Sequence, residues 1–162
     1  MPHPQIEVLL RSLDQAYNRK AWHGTNLRGS LRGLTSRQAA WRPAPGRHNI
    51  WEIAVHAAYW KYAVRRRLRG EKRGSFALKG SNWFARTSAN SEKEWRADLA
   101  LLEHEHRLLR DAVRTFPHRK LHRRPTGTPW SALDTILGAA LHDVYHAGQI
   151  QLLKRLQKSR TR

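Results

Sequence analysis

Ser91-Glu-Lys-Glu-Trp-Arg-Ala-Asp-Leu-Ala-Leu-Leu-Glu-His-Glu-His-Arg-Leu-Leu-Arg-Asp-Ala-Val-Arg-Thr-Phe116 is the stretch that decides the fold class. Within it Trp95, Leu99, Leu102, His106, Leu109, Val113 and Phe116 recur at alternating steps of four and three, which places them on one face of an α-helix. Ser91 with Glu94 three residues later reads as a capping box that opens this helix, and Pro117 closes it. Upstream, Asn49 reads as the N-cap of a helix over Ile50 to Arg69 that Gly70 terminates. Earlier still, Ile6, Leu9, Leu10, Leu13, Ala16 and Tyr17 give a first helix over Gln5 to Ala21. Trp22-His-Gly-Thr-Asn26 interrupts it, and a kink or short break is expected at Gly24 before Leu27, Leu31 and Leu34 resume the stripe. Downstream, Thr128-Pro129 is expected to start a fourth helix that runs to about Gln157. It is apolar around most of its circumference, as in the most buried helix of a bundle.

The connections complete the architecture. Trp41-Arg-Pro-Ala-Pro-Gly-Arg-His48 is a loop, since two prolines and a glycine leave no regular ladder. Gly70 to Asn90 is a long, glycine-punctuated loop; Phe76, Trp83 and Phe84 within it predict that it packs on the helices. Strand signals are absent. The expectation is one all-α domain over residues 1–162, a four-helix bundle with a long crossover loop between the second and third helices.

The chain has 162 residues, enough for a real hydrophobic core. It has no cysteine, which excludes disulfides, thiolate metal sites and a cysteine nucleophile. No run of about twenty apolar residues is present to span a bilayer. The opening Met1-Pro-His-Pro-Gln-Ile-Glu lacks the basic-then-apolar pattern of a signal peptide, so a cytoplasmic location is expected. Lys and Arg number 31 against 12 Asp and Glu, a formal charge of +19. Such a field favours polyanions and makes nucleic acid a conceivable partner. The cations are nevertheless spread from Arg11 to Arg162, in places where a bundle shows its wet faces.

Candidate chemistry centres on His142-Asp-Val-Tyr-His146 in the fourth helix. Residues four apart share a helix face, so His142 and His146 can present two imidazole nitrogens to one ion. His56 lies on a stripe with Ile53, Trp60 and Ala63 that is otherwise made of core residues. Three inward-facing histidines are costly to bury unless a common cation holds them, which makes His56, His142 and His146 the candidate ligands of one divalent transition metal. Three neutral ligands leave such an ion its full charge and an open position, suited to acidifying water for hydrolysis or to taking a thiol as thiolate. In a cysteine-free chain the thiol comes from a small-molecule cosubstrate. The carboxylates that such thiols usually carry could meet Lys72, Arg73 and Lys79 of the long loop.

Four further residues are candidates to orient a ligand ring or to move protons. Glu52 stands one turn before His56 and Tyr59 lies three residues after it. His23 is expected near the level of His56 if the first two helices run antiparallel. If the third and fourth helices form an antiparallel pair, His106 falls beside His142 as a hydrogen-bond partner or proton shuttle. Trp51, Trp60 and Trp95 read as packing, Trp83 and Trp130 as pocket walls, and His104, His118 and His122 as solvent-facing.

The segments Asn49-Ile-Trp-Glu-Ile-Ala-Val-His56-Ala-Ala-Tyr-Trp60 and His142-Asp-Val-Tyr-His146-Ala-Gly-Gln-Ile150, with Trp22-His-Gly24 and Gly80-Ser-Asn-Trp83, resemble the DinB superfamily of metal-binding four-helix proteins, which includes thiol-dependent S-transferases. The resemblance extends over nearly the whole chain. It implies a three-histidine site open on one side and holding nickel, zinc, iron or manganese. It also implies an activity on small molecules and, often, a homodimer.

Overall fold

The computed structural model describes residues 3–86 and 91–160. It contains α1 (Pro4–Tyr17), α2 (Leu27–Leu31), α3 (Ser36–Ala40), α4 (Ile50–Arg69), α5 (Glu92–Arg114), a 3-10 turn at His118–Lys120 and α6 (Ala132–Arg160). The described residues include no strand, and the protein is an all-α bundle whose four long members are α1, α4, α5 and α6. No helix among the described residues is long and apolar enough to cross a membrane.

Helix α4 begins and ends where its caps dictate. The Asn49 side chain accepts from the Glu52 amide while the Glu52 carboxylate accepts from the Asn49 amide, and Gly70 closes the helix at φ 68°, a left-handed conformation that costs glycine nothing. Ser91 caps α5 through the Glu94 amide at 3.2 Å. The first helix is shorter than its apolar stripe predicts and stops at Tyr17. Asn26 is the reason: its amide nitrogen donates to the Arg19 carbonyl at 2.8 Å and its Oδ1 accepts from the Gly29 amide at 2.8 Å, so one side chain stabilises the break and starts α2. The interruption is a full connection rather than a kink at Gly24. The short helix α3 was not expected, although Thr35-Ser-Arg-Gln38 spells the reciprocal box that caps it. At the start of α6, Ser131 and not Thr128 is the cap, accepting from the Asp134 amide at 3.0 Å.

Contacts define who neighbours whom. Helix α4 packs on α5 and α6, and α1 packs on the same two, so α5 and α6 face each other across the bundle's diagonal. Trp51 bonds Asp98 and Arg65 bonds Glu105, so α4 and α5 run parallel. Asp14 with Arg110 and Tyr17 with Glu103 make α1 antiparallel to α5. The antiparallel pairing of α5 with α6 as neighbours, on which the placement of His106 beside His142 relied, does not occur. The connection after α5 crosses the end of the bundle instead, plugged by fully buried Leu121, whose carbonyl accepts from the Leu133 amide at 2.8 Å.

Helix α6 is not buried all round. Ile136, Ala140, Asp143, His146, Ala147, Ile150 and Leu153 face inward, whereas Leu141, Tyr145, Leu152 and Leu156 form an exposed apolar stripe.

Candidate metal centre

His56 comes from the middle of α4, and His142 and His146 come from successive turns of α6, which runs antiparallel to α4. Their three Nε2 atoms converge. His142 Nε2 lies 3.1 Å from that of His56 and 3.0 Å from that of His146. Two of the rings have fixed tautomers. His56 Nδ1–H donates to the Asn82 carbonyl at 2.8 Å, and His146 Nδ1–H donates to Gln149 Oε1 at 2.6 Å. Both acceptors therefore leave Nε2 unprotonated, with its lone pair directed at the common centre.

This donor set fits a cation. Burial pushes His56 down to about 4 and His142 down to about 3, and it lowers His146 against the opposing Gln149 hydrogen bond. All three are neutral near pH 7, the form that ligates. The unprotonated Nε2 atoms of His56 and His146 both face His142 Nε2, an arrangement that a cation at the centre stabilises. Nitrogens about 2.0–2.1 Å from one ion stand about 2.9 Å apart in octahedral and about 3.3 Å apart in tetrahedral geometry, and the two spacings from His142 lie between, with all three ligand atoms within 4.8 Å of one another. The three residues are the described group of His and acidic side chains that could hold a metal ion.

The long loop supplies most of the surroundings. Trp83 stacks on His56 with ring centres 3.8 Å apart, and on its other face His48 stacks at 3.6 Å. Asn82 has φ 63°, a left-handed conformation uncommon for a residue with a side chain, and its Oδ1 accepts from Trp60 Nε1 at 2.9 Å. Trp60, expected to be packing only, thus helps hold the loop, and its ring meets those of His56 and His142 edge to face. Of the two tryptophans expected as pocket walls, Trp130 lines a cavity of about 480 Å³ that His142 also borders, whereas Trp83 lies against the His56 and His48 rings.

Asn82 is the functional residue that the sequence did not disclose. Its contribution to His56 is a backbone carbonyl, which has no side-chain signature, and the familiar Gly80-Ser-Asn-Trp83 segment was the sole pointer. Asn82→Gly keeps the carbonyl and relieves φ, so it is expected to retain metal. Asn82→Val strains the turn and loses the Trp60 bond, and a drop of about 10–100-fold in zinc affinity is expected, read by competition with a chromogenic chelator. Equal affinities in the two variants would remove the role.

The other candidates stand elsewhere. Glu52 does not touch His56: it is buried and accepts from Arg42, from His48 Nδ1 at 3.0 Å and from the Arg86 amide at 3.1 Å. Burial alone would raise its pKa, but these donors win and hold it at about 2. It is the ion that ties both flanking loops to the start of α4. Tyr59 packs among Trp60, Tyr62, Phe76 and Phe84. His23 is exposed in the connection after α1, with no hydrogen bond, ion pair or ring contact to the site. His106 is buried, as its stripe predicts, but makes no hydrogen bond to a ligand histidine. Its ring stacks on Tyr17 at 3.9 Å, its Nε2 is 3.9 Å from Asp14, too long to be a hydrogen bond, and burial with Lys61 and Arg110 nearby pushes it down to about 2. His104 and His122 are exposed, while His118 stacks on His3.

No curated protein and no solved structure gives a significant match. The profile of the DinB superfamily matches residues 19–150, a span that holds all three histidines, the Asn82 turn and every element from α2 to the middle of α6. By that match the chain belongs to the DinB superfamily.

Proposed function

We propose that the protein is a metal-dependent transferase acting on small molecules, with a low-molecular-weight thiol as cosubstrate; hydrolysis is the other chemistry that the same site suits. The observation that carries this reading is the convergence of three neutral Nε2 atoms beside a cavity of about 480 Å³. His56, His142 and His146 would hold one divalent transition ion, in this family's range of nickel, zinc, iron or manganese. When bound, such an ion acts as a Lewis acid and lowers the pKa of a thiol or of water. The chain itself orients the ligands through Asn82 and Gln149 and screens one face of His56 from water with the Trp83 ring. A separate cavity of about 500 Å³, bordered by Tyr59, Tyr62 and Phe76, presents Arg66, Arg73 and Lys79, which suit the carboxylates of a thiol cosubstrate.

Cobalt substitution tests the reading. A small thiol that binds the ion is expected to add an intense sulfur-to-cobalt band to the absorption spectrum. Spectra unchanged by a broad panel of thiols would favour hydrolysis.

One observation favours a second reading, a non-catalytic protein that meets a polyanion. Arg32, Arg37, Lys154 and Lys158 surround a cavity of about 740 Å³ that no acidic side chain lines. The exposed stripe of Leu141, Tyr145, Leu152 and Leu156 supports the further proposal of a homodimer, and the composition that of a cytoplasmic location.

A further inference from the structure

The cavity that His142 borders also holds an unpaired cation. Trp60, Val64, Leu137, Leu141 and Trp130 make its walls apolar, and its volume of about 480 Å³ lies in the range of small-molecule sites. Arg67, near the end of α4, is the basic side chain that lines it. The arginines that serve the fold are matched to carboxylates: Arg42 to Glu52, Arg65 to Glu105 and Glu71, Arg86 to Asp98, Arg110 to Asp14. Arg67 is not. Its Nε is buried without a hydrogen-bond partner, and its guanidinium carbon stands 5.8 Å from the centre of the Trp60 ring. Burial and the like charges of Arg66 and Arg73 pull its pKa down, the mark of a cation lacking a counter-ion. Asp134 also lines the cavity, but it is exposed and engaged by the Ser131 hydroxyl at 2.6 Å, and it makes no ion pair with Arg67.

A half-buried guanidinium of this kind matches the planar, bidentate geometry of a carboxylate. We propose that this cavity binds a small amphipathic carboxylate, with the carboxylate on Arg67 and an apolar body against Trp60, Leu137 and Leu141. The ligand's far end then lies at His142. This rests on the metal-centre reading for the meaning of that end, and it assigns the thiol's reaction partner to a chemical class: an apolar or aromatic acid.

The test uses the full chain, metal-free and zinc-loaded, titrated calorimetrically with naphthalene-2-carboxylate and with the neutral naphthalene-2-carboxamide. The carboxylate is expected to bind once per chain. Arg67→Gln, which breaks no hydrogen bond of the fold, is expected to weaken it about tenfold or more, while the amide binds parent and variant alike. Gly138→Leu supplies a second arm. A Cβ at Gly138 meets nothing within 4 Å and Gly138 lines the cavity, so leucine there is expected to occupy part of the cavity and weaken carboxylate binding, with the circular dichroism spectrum and urea midpoint of the variant checking that it folds. No binding by the parent, or carboxylate binding unaffected by Arg67→Gln, overturns the proposal. Elemental analysis of the same samples separates the two readings. Metal uptake without Arg67-dependent binding overturns the carboxylate site alone; Arg67-dependent binding in a protein that takes up no metal overturns the metal centre alone.

Discussion

Replacing His142 by alanine is expected to reduce the metal content of the protein from about one ion per chain to nearly none. His142 is the shared neighbour in the cluster, within 3.1 Å of both other Nε2 atoms, so its loss leaves two nitrogens on different helices and no compact donor set. The fall in affinity should exceed the roughly 10–100-fold that follows loss of an outer hydrogen-bond partner. Elemental analysis of natively purified protein reads the effect, and full occupancy in the His56→Ala, His142→Ala double variant would falsify the assignment. The metal-free protein supplies a second readout. The three imidazoles titrate below the ordinary 6.5, so the folded state binds fewer protons than the unfolded state once the pH drops beneath that value. Stability is therefore complete above about pH 6.5 and declines on acidification towards about 4 for His56 and about 3 for His142. Metal-free His142→Ala should lose less stability than metal-free parent between pH 6.5 and 4, measured by urea unfolding at each pH. Parallel losses would mean that His142 is not held neutral by the fold.

Lys61→Met is expected to cost about 3–5 kcal/mol of folding stability. Lys61 and Asp143 form an ion pair in the middle of the bundle, with side chains 2% and 1% exposed, so removing one leaves the other charged or forces it to neutralise. Asp143 Oδ1 already lacks a partner, which leaves no alternative donor to absorb the loss. Lys61 also lies 4.9 Å from the centre of the Tyr17 ring, on which His106 stacks, so the pair fixes the packing of α1 against α4 and α6. Replacing both partners together, Lys61→Met with Asp143→Leu, should recover most of the loss, since similar-sized apolar side chains carry no desolvation penalty. Urea midpoints of the two singles and the double make the comparison. A single-variant cost below about 1 kcal/mol would class the pair with exposed ion pairs.

The helical class, the limits of α4 and the trio of His56, His142 and His146 were legible in the sequence alone. Those features are written in local chemistry: Asn49 with Glu52, Gly70, and His142 with His146 one turn apart on the face that α6 turns inward. The sequence also placed His106 in the core, because a four-and-three stripe states which face of α5 is buried. Periodicity does not state what that face meets. Helix packing sets α5 diagonal to α6, which puts His106 on Tyr17 instead of beside His142. The same limit explains Glu52 and Asn82. Helical spacing set Glu52 one turn from His56, but the carboxylate turns to Arg42, Arg86 and His48 from two loops, while the Asn82 backbone carbonyl of the long loop takes the imidazole. Contacts made by the backbone, or across long separations in the chain, leave no spacing to read. Arg67 is the clearest case: in the sequence it is the last of three consecutive arginines and reads as part of a solvated cluster, and the packing of α6 against α4 encloses it with Trp60 and His142.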